Sequence, residues 1–207
     1  MEAEQQMRWV YIHPFIVRMT HWVNALAILI MVTSGWRIYN ASPLFPFKFP
    51  STIILGGWLG GALQWHFAGM WLLAANGAIY LSYGILSGHF RRKLWPISLG
   101  AVIADIAAAF KGRLNHNDLS VYNTAQRAAY ASLILAIIVL VLSGLAIWKP
   151  VQLQWLAAIM GGYEGARLVH FLAMAFTVSV VIVHVVMVAL VPKTFNTMIT
   201  GRIRSGP

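Results

Sequence analysis

Four stretches of almost continuous apolar residues divide this chain, each long enough to cross a hydrocarbon core about 30 Å thick as a helix. They run over about 20–39, 65–88, 127–148 and 166–191. Between them the pattern breaks in different ways. Residues 1–19 form a polar and aromatic leader, with Met-Arg-Trp-Val-Tyr-Ile-His-Pro-Phe from Met7 to Phe15, that reads as interfacial. Residues 40–64 carry Pro43, Pro46, Pro50 and the glycines Gly56, Gly57, Gly60 and Gly61, which predicts a loop with a short surface helix at most. Over 95–110 the residues Ile97, Leu99, Val102, Ile103 and Ile106 are apolar, but Asp105 interrupts a run too short to span. An amphipathic helix lying in the interface is predicted there. The fold class that follows is an all-α integral membrane protein, a four-transmembrane-helix bundle forming a single domain over 1–207.

Composition strengthens this reading. Of the 207 residues 59% are hydrophobic and only 10% charged, which excludes an ordinary soluble domain. A formal charge of +10 invites a nucleic-acid reading, but the basic residues are scattered between the apolar segments and make no stripe, so they serve as topology signals instead. With four spans, Arg8, Arg18, Arg91, Arg92, Lys93, Lys111, Arg113, Arg127, Lys193, Arg202 and Arg204 fall on one side, and Arg37, Lys48, Lys149 and Arg167 on the other. The positive-inside rule then puts both termini in the cytoplasm, and a fifth span over 95–110 would erase the bias. Glu2 and Glu4 precede a long apolar run without a small-residue cleavage pattern, so the first span is expected to stay in the mature protein.

Histidines give the spans a chemistry. His170 and His184 share the last span, fourteen residues apart, and so leave the helix on nearly the same face about 21 Å apart along its axis. Topology puts His21 at the cytoplasmic end of span one and His66 at the outer end of span two. His170 falls at the outer end of span four and His184 toward its cytoplasmic end. Two depth-matched pairs result, His21 with His184 and His66 with His170, as six-coordinate haems wedged between helices require. The chain has no cysteine, so disulfides, thiolate-held iron–sulfur clusters and covalent c-type haem are all excluded, and any haem is non-covalent. His13, His89 and His116 have no depth-matched partner and read as surface residues. Gly35, Gly77, Gly84, Gly88 and Gly144 would let a flat macrocycle or another helix approach the backbone. Arg18 and Arg167 each lie one turn before a candidate ligand and could pair with haem propionates, or simply with lipid headgroups.

Three segments carry a family resemblance: His13-Pro14-Phe15-Ile16-Val17-Arg18-Met19-Thr20-His21-Trp22, the His170/His184 pair, and Tyr122-Asn123-Thr124-Ala125-Gln126 before span three. Over most of its length the chain resembles the bacterial cytochrome b561 superfamily. That group includes the cytochrome b subunits of formate dehydrogenase, nickel–iron hydrogenase and thiosulfate-reductase-like or other molybdopterin oxidoreductase systems. The resemblance implies two b-type haems with the same pairings and a quinone site beside the cytoplasmic one. Asn123 and Gln126 match residues bordering that site, and Ala125 stands where the family segment has glycine. Read without the resemblance, the same segment is a helix N-terminus capped by Asn123.

The expected function is electron transfer between a periplasmic oxidoreductase subunit, of molybdopterin or hydrogenase type, and the quinone pool of the bacterial inner membrane. The chain would then be an electron-transfer subunit rather than a complete enzyme. One rival is a stand-alone superoxide:quinone oxidoreductase of the same fold. Another, from a different class, is a haem-free transporter or assembly subunit.

Overall fold

The structure is a computed structural model that describes residues 8–88, 90, 100, 101, 104 and 124–205. It divides into two compact units, one made of Met1–His89 with Val188–Pro207 and the other of Phe90–Met187.

The first unit opens with strand β1 (Arg8–Tyr11) and the long helix α1 (Phe15–Ala41). Pro14 stands at the N-cap with extended ψ, where a missing N–H costs nothing. After Ser42 the chain folds back over the end of α1. Asn40 mimics a strand partner here: its Nδ2 donates to the Phe49 carbonyl at 2.8 Å and its Oδ1 accepts from the Phe49 N–H at 2.9 Å. The Phe49 ring stacks on Trp36 at 4.7 Å, Arg37 Nε donates to the Gly57 carbonyl at 2.8 Å, and a single 3-10 turn occupies Ser51–Ile53. Helix α2 (Leu59–Leu86) follows, antiparallel to α1.

Helix α2 begins at Leu59, earlier than the span expected from about 65. Of the glycines that read as breakers, Gly56 and Gly57 precede the helix with positive φ, and Gly60 and Gly61 lie inside its first turn. A Cβ at Gly60 would collide with the Trp58 indole and one at Gly61 with the Gly56 carbonyl, so both are glycine for close approach and not for flexibility. Further along, Gly69 brings α2 against Ile30 and Met31 of α1, with a built Cβ 3.0 Å from Ile30 Cγ2. The unit is completed by helix α6 (Lys193–Thr200) and strand β2 (Arg202–Ser205), which pairs antiparallel with β1 in the register Arg8↔Ser205 to Tyr11↔Arg202. This two-stranded sheet adds to the all-α expectation and gives the leader a partner within the protein.

The second unit contains α3 (Thr124–Trp148), the short α4 (Gln154–Ile159) and α5 (Gly162–Leu190), whose last residues pass into the first unit. Ala146 of α3, Leu156 and Ala157 of α4, and Ala166 of α5 form its buried cluster, small residues that let the backbones close up. Of the segment expected as an interfacial helix over 95–110, all but 100, 101 and 104 lie outside the described residues, as do His89 and His116.

Helices α1, α2, α3 and α5 are long and apolar enough to cross a membrane. Their outward surfaces are hydrocarbon, with Leu29 61%, Ile79 51%, Leu135 61% and Val183 62% exposed, which in water would be a heavy cost and in lipid is none. Hydroxyls within them return to their own backbone, as Thr33 to Leu29 at 2.7 Å and Thr177 to Ala173 at 2.8 Å.

Candidate functional site

In each unit one histidine is held by the long helix that precedes its own. His66 lies two turns into α2, half-buried, with Nδ1 3.1 Å from Ser34 Oγ and 3.1 Å from the Met31 carbonyl oxygen, both on α1. A carbonyl only accepts, so Nδ1 carries the proton. The Ser34 hydroxyl donates to the Ile30 carbonyl at 2.5 Å, which turns its lone pairs toward the ring. Beside it, a Cβ built on Gly35 would stand 3.4 Å from His66 Cε1.

The second unit repeats the arrangement. His170, two turns into α5 and half-buried, has Nδ1 3.0 Å from Ser143 Oγ of α3. Ser143 donates to the Val139 carbonyl at 2.6 Å and therefore also accepts from the ring, and a Cβ on Gly144 would stand 3.4 Å from His170 Cε1. In both rings the proton sits on Nδ1 and the lone pair on Nε2, the tautomer that ligates a metal through Nε2 with its other nitrogen anchored.

His21 lies two turns into α1 with its ring edge-on to Trp22 at 5.3 Å. Trp22 Nε1 donates to the Met198 carbonyl at 3.2 Å and its ring meets Phe195 at 5.9 Å, so α6 steadies this end of α1. Asn76 of α2 donates to the Thr20 carbonyl at 2.8 Å and to Asn24 Oδ1 at 2.7 Å, making a buried polar knot on either side of His21 in sequence. His184 is exposed in the last two turns of α5, an imidazole among apolar neighbours from Val183 to Leu190. Such a group is costly in a membrane unless it is used. His21 and His66 belong to the first unit and His170 and His184 to the second.

The two candidate propionate partners are already oriented by the protein. The Arg18 guanidinium donates to the Ile199 carbonyl and lines an open cleft of about 520 Å³ with Tyr11, Thr200 and Arg202. Arg167 pairs with Glu164 at 2.8 Å. Gln126 falls in the first turn of α3, and Asn123 lies outside the described residues.

A search against known families closes the question of kinship, because the profile of prokaryotic cytochrome b561 matches residues 12–201. The chain belongs to the prokaryotic cytochrome b561 family. It is thus a multi-pass membrane protein of an electron-transfer family, and family membership implies a b-type haem. Among curated relatives it is similar to a protein of Azospira oryzae, provisionally named protein-methionine-sulfoxide reductase subunit YedZ1, with 59% identity over 190 residues, 92% of this chain and 96% of that one. It is similar also to a provisionally named Ni/Fe-hydrogenase B-type cytochrome subunit of Cupriavidus necator, 25% identical over 87% of this chain and 79% of the relative. The corresponding protein of Bradyrhizobium diazoefficiens is 24% identical over 85% and 76%. No solved structure matches the chain.

The residues present fit a haem. Imidazoles with a committed Nδ1 are the donor type iron takes in b-type cytochromes, and a glycine against each ring leaves the helix surface flat beside it. Sequence reasoning finds the histidines and both glycines. It misses Ser34 and Ser143 and the hydrogen-bonded pair Asn24 and Asn76. The one signal that could have found the serines is the Ser-Gly dipeptide, which stands at 34–35 and 143–144 and also at 87–88 and 205–206.

Proposed function

We propose that this chain is a single cytochrome b561-type membrane domain, the di-haem subunit that carries electrons between the quinone pool of the bacterial inner membrane and a periplasmic oxidoreductase. His21 with His184 would hold a haem on the cytoplasmic side, and His66 with His170 one on the periplasmic side. Haem bound at each pair supplies a one-electron couple inside the apolar core. The chain's own residues set position and polarity: Nδ1 of His66 and His170 is fixed on α1 and α3, and Asn76 ties α2 to α1 around His21. Arg18 and Arg167, one turn from His21 and His170, supply cations for the propionates. Asn123 and Gln126 offer amide groups to a quinone carbonyl on the side where both termini are expected.

The observation that carries the choice of partner is the contrast in likeness, 59% identity over 96% of the sulfoxide-reductase subunit against 24–25% for the hydrogenase cytochromes. It favours a periplasmic protein-methionine-sulfoxide reductase as the partner, and with that partner electrons would run from quinol to the sulfoxide. Quinol gives up two electrons and two protons, and methionine sulfoxide takes up two of each to yield methionine and water.

The test uses membrane vesicles carrying the chain and the soluble protein that co-purifies with it. Quinol oxidation that depends on methionine sulfoxide is the expected result. Hydrogen-dependent quinone reduction would move the partner to the hydrogenase type, and rapid superoxide-driven quinone reduction by the isolated chain would favour the stand-alone enzyme. Without a b-type absorption change on reduction, the reading fails altogether.

A further inference from the structure

A serine in a membrane helix returns its proton to the carbonyl four residues back as a matter of course, so Ser34→Ile30 and Ser143→Val139 alone mean little. The other side of each hydroxyl is less ordinary. In both units the lone pairs face Nδ1 of a histidine on the next long helix, at 3.1 and 3.0 Å. In both, the following residue is a glycine, where a Cβ would stand 3.4 Å from the ring's Cε1. Two independent helix pairs thus build the same bracket, Ser-Gly on the first helix and His on the second. The His66 ring also meets the Met31 carbonyl at 3.1 Å.

We propose that Ser34 and Ser143 are matched positioning residues for one haem, each accepting the Nδ1–H of a ligating histidine and thereby setting that haem's reduction potential. The inference rests on the proposed ligation by His66 and His170. An acceptor on Nδ1–H draws electron density toward the iron-bound Nε2, makes the imidazole a stronger donor and favours ferric over ferrous iron. Removing the acceptor therefore raises the potential. The bracket also holds both rings in one rotation, so that Nε2 alone can face iron.

Redox titration and ferric low-spin EPR of the purified haem-loaded protein test this. Ser143→Ala should move one of the two midpoint potentials upward by up to about tenfold in the ferric/ferrous ligand preference, about 59 mV for a one-electron couple. Its g-values should change, and the other haem should be untouched. Ser34→Ala should move the same component in the same direction. Unmoved potentials and g-values with haem content intact overturn the proposal, as do shifts in different haems. Should an alanine variant fail to assemble, Ser143→Cys keeps the volume with a weak sulfur acceptor. A partial upward shift is then expected, and none overturns the proposal. His66→Ala and His170→Ala separate the two layers of the argument. If either retains both haems the ligand assignment fails; if both lose that one haem while the serine variants stay at wild-type potential, only the role of the serines fails.

Discussion

The side-chain amide of Asn76 donates to the backbone carbonyl of Thr20 at 2.8 Å, so α2 grips α1 at the residue next to His21. The same nitrogen also donates to Asn24 Oδ1 at 2.7 Å, one helical turn beyond. Hydrogen bonds between membrane helices average about 0.6 kcal/mol and reach about 1.7. Asn76→Leu breaks two and leaves Asn24 behind. We expect a loss of about 1–2 kcal/mol in reversible unfolding in detergent, with a broadened EPR signal from the haem that His21 serves. Wild-type stability together with an unaltered signal would make the knot incidental.

Haem content reads the ligand pairs directly. His21→Ala and His184→Ala should each leave about one haem per chain of the proposed two, and the same spectral component should vanish in both. His66→Ala and His170→Ala should remove the other. A His170→Ala protein that keeps both haems would refute the assignment.

The glycines beside the rings predict a graded response. A methyl at Gly35 or Gly144 would rest 3.4 Å from an imidazole carbon, at the tight edge of ordinary contact, so alanine should be tolerated with both haems retained. Valine adds two carbons where the ring lies. Gly35→Val and Gly144→Val should lose the haem that His66 and His170 share, measured as haem-to-protein ratio. Full occupancy in both valine variants would show that the rings need no flat helix surface.

Gly201 ends α6 with φ of 75°, and a Cβ there would come 2.9 Å from the His13 carbonyl. Its backbone oxygen accepts from the N–H of Ile12 at 2.9 Å and of His13 at 3.3 Å. Gly201→Val should cost about 1–3 kcal/mol of local stability. The readout is faster proteolytic clipping of the leader with haem spectra unchanged; a cleavage rate equal to wild type would sink this account of the clasp.

Asn123→Ala should slow quinol oxidation several-fold while both haems and their potentials stay put. Stopped-flow reduction of the haems by quinol measures this, and unchanged kinetics would remove Asn123 from the quinone site.

Much of this fold is legible in the sequence, for a physical reason: lipid demands long apolar runs, so four spans stand out from hydropathy alone. Gly35 and Gly144 are also legible as places where something flat meets backbone, and each proves to have an imidazole against it. Ser34 and Ser143 are not, because a serine that back-bonds in a helix looks the same whether or not a ring faces its other side. Asn24 and Asn76 depend on how α1 and α2 are rotated against each other, which no single-helix pattern encodes. The start of α2 falls earlier than the pattern predicts because Gly60 and Gly61 read as flexibility, whereas Trp58 and the Gly56 carbonyl make them a packing requirement. The β1–β2 pairing joins residues from opposite ends of the chain, beyond the reach of any local signal.

That terminal pairing bears on how the protein is made. The ribosome delivers β1 first and β2 only after α1, α2, α3, α4, α5 and α6 have emerged, so while those helices are being made β1 has no strand to join. Trp22 likewise waits for Phe195 and the Met198 carbonyl. The end of α1 that carries His21 therefore acquires its final neighbours late, and a chain truncated before α6 would enter the membrane with that end still open.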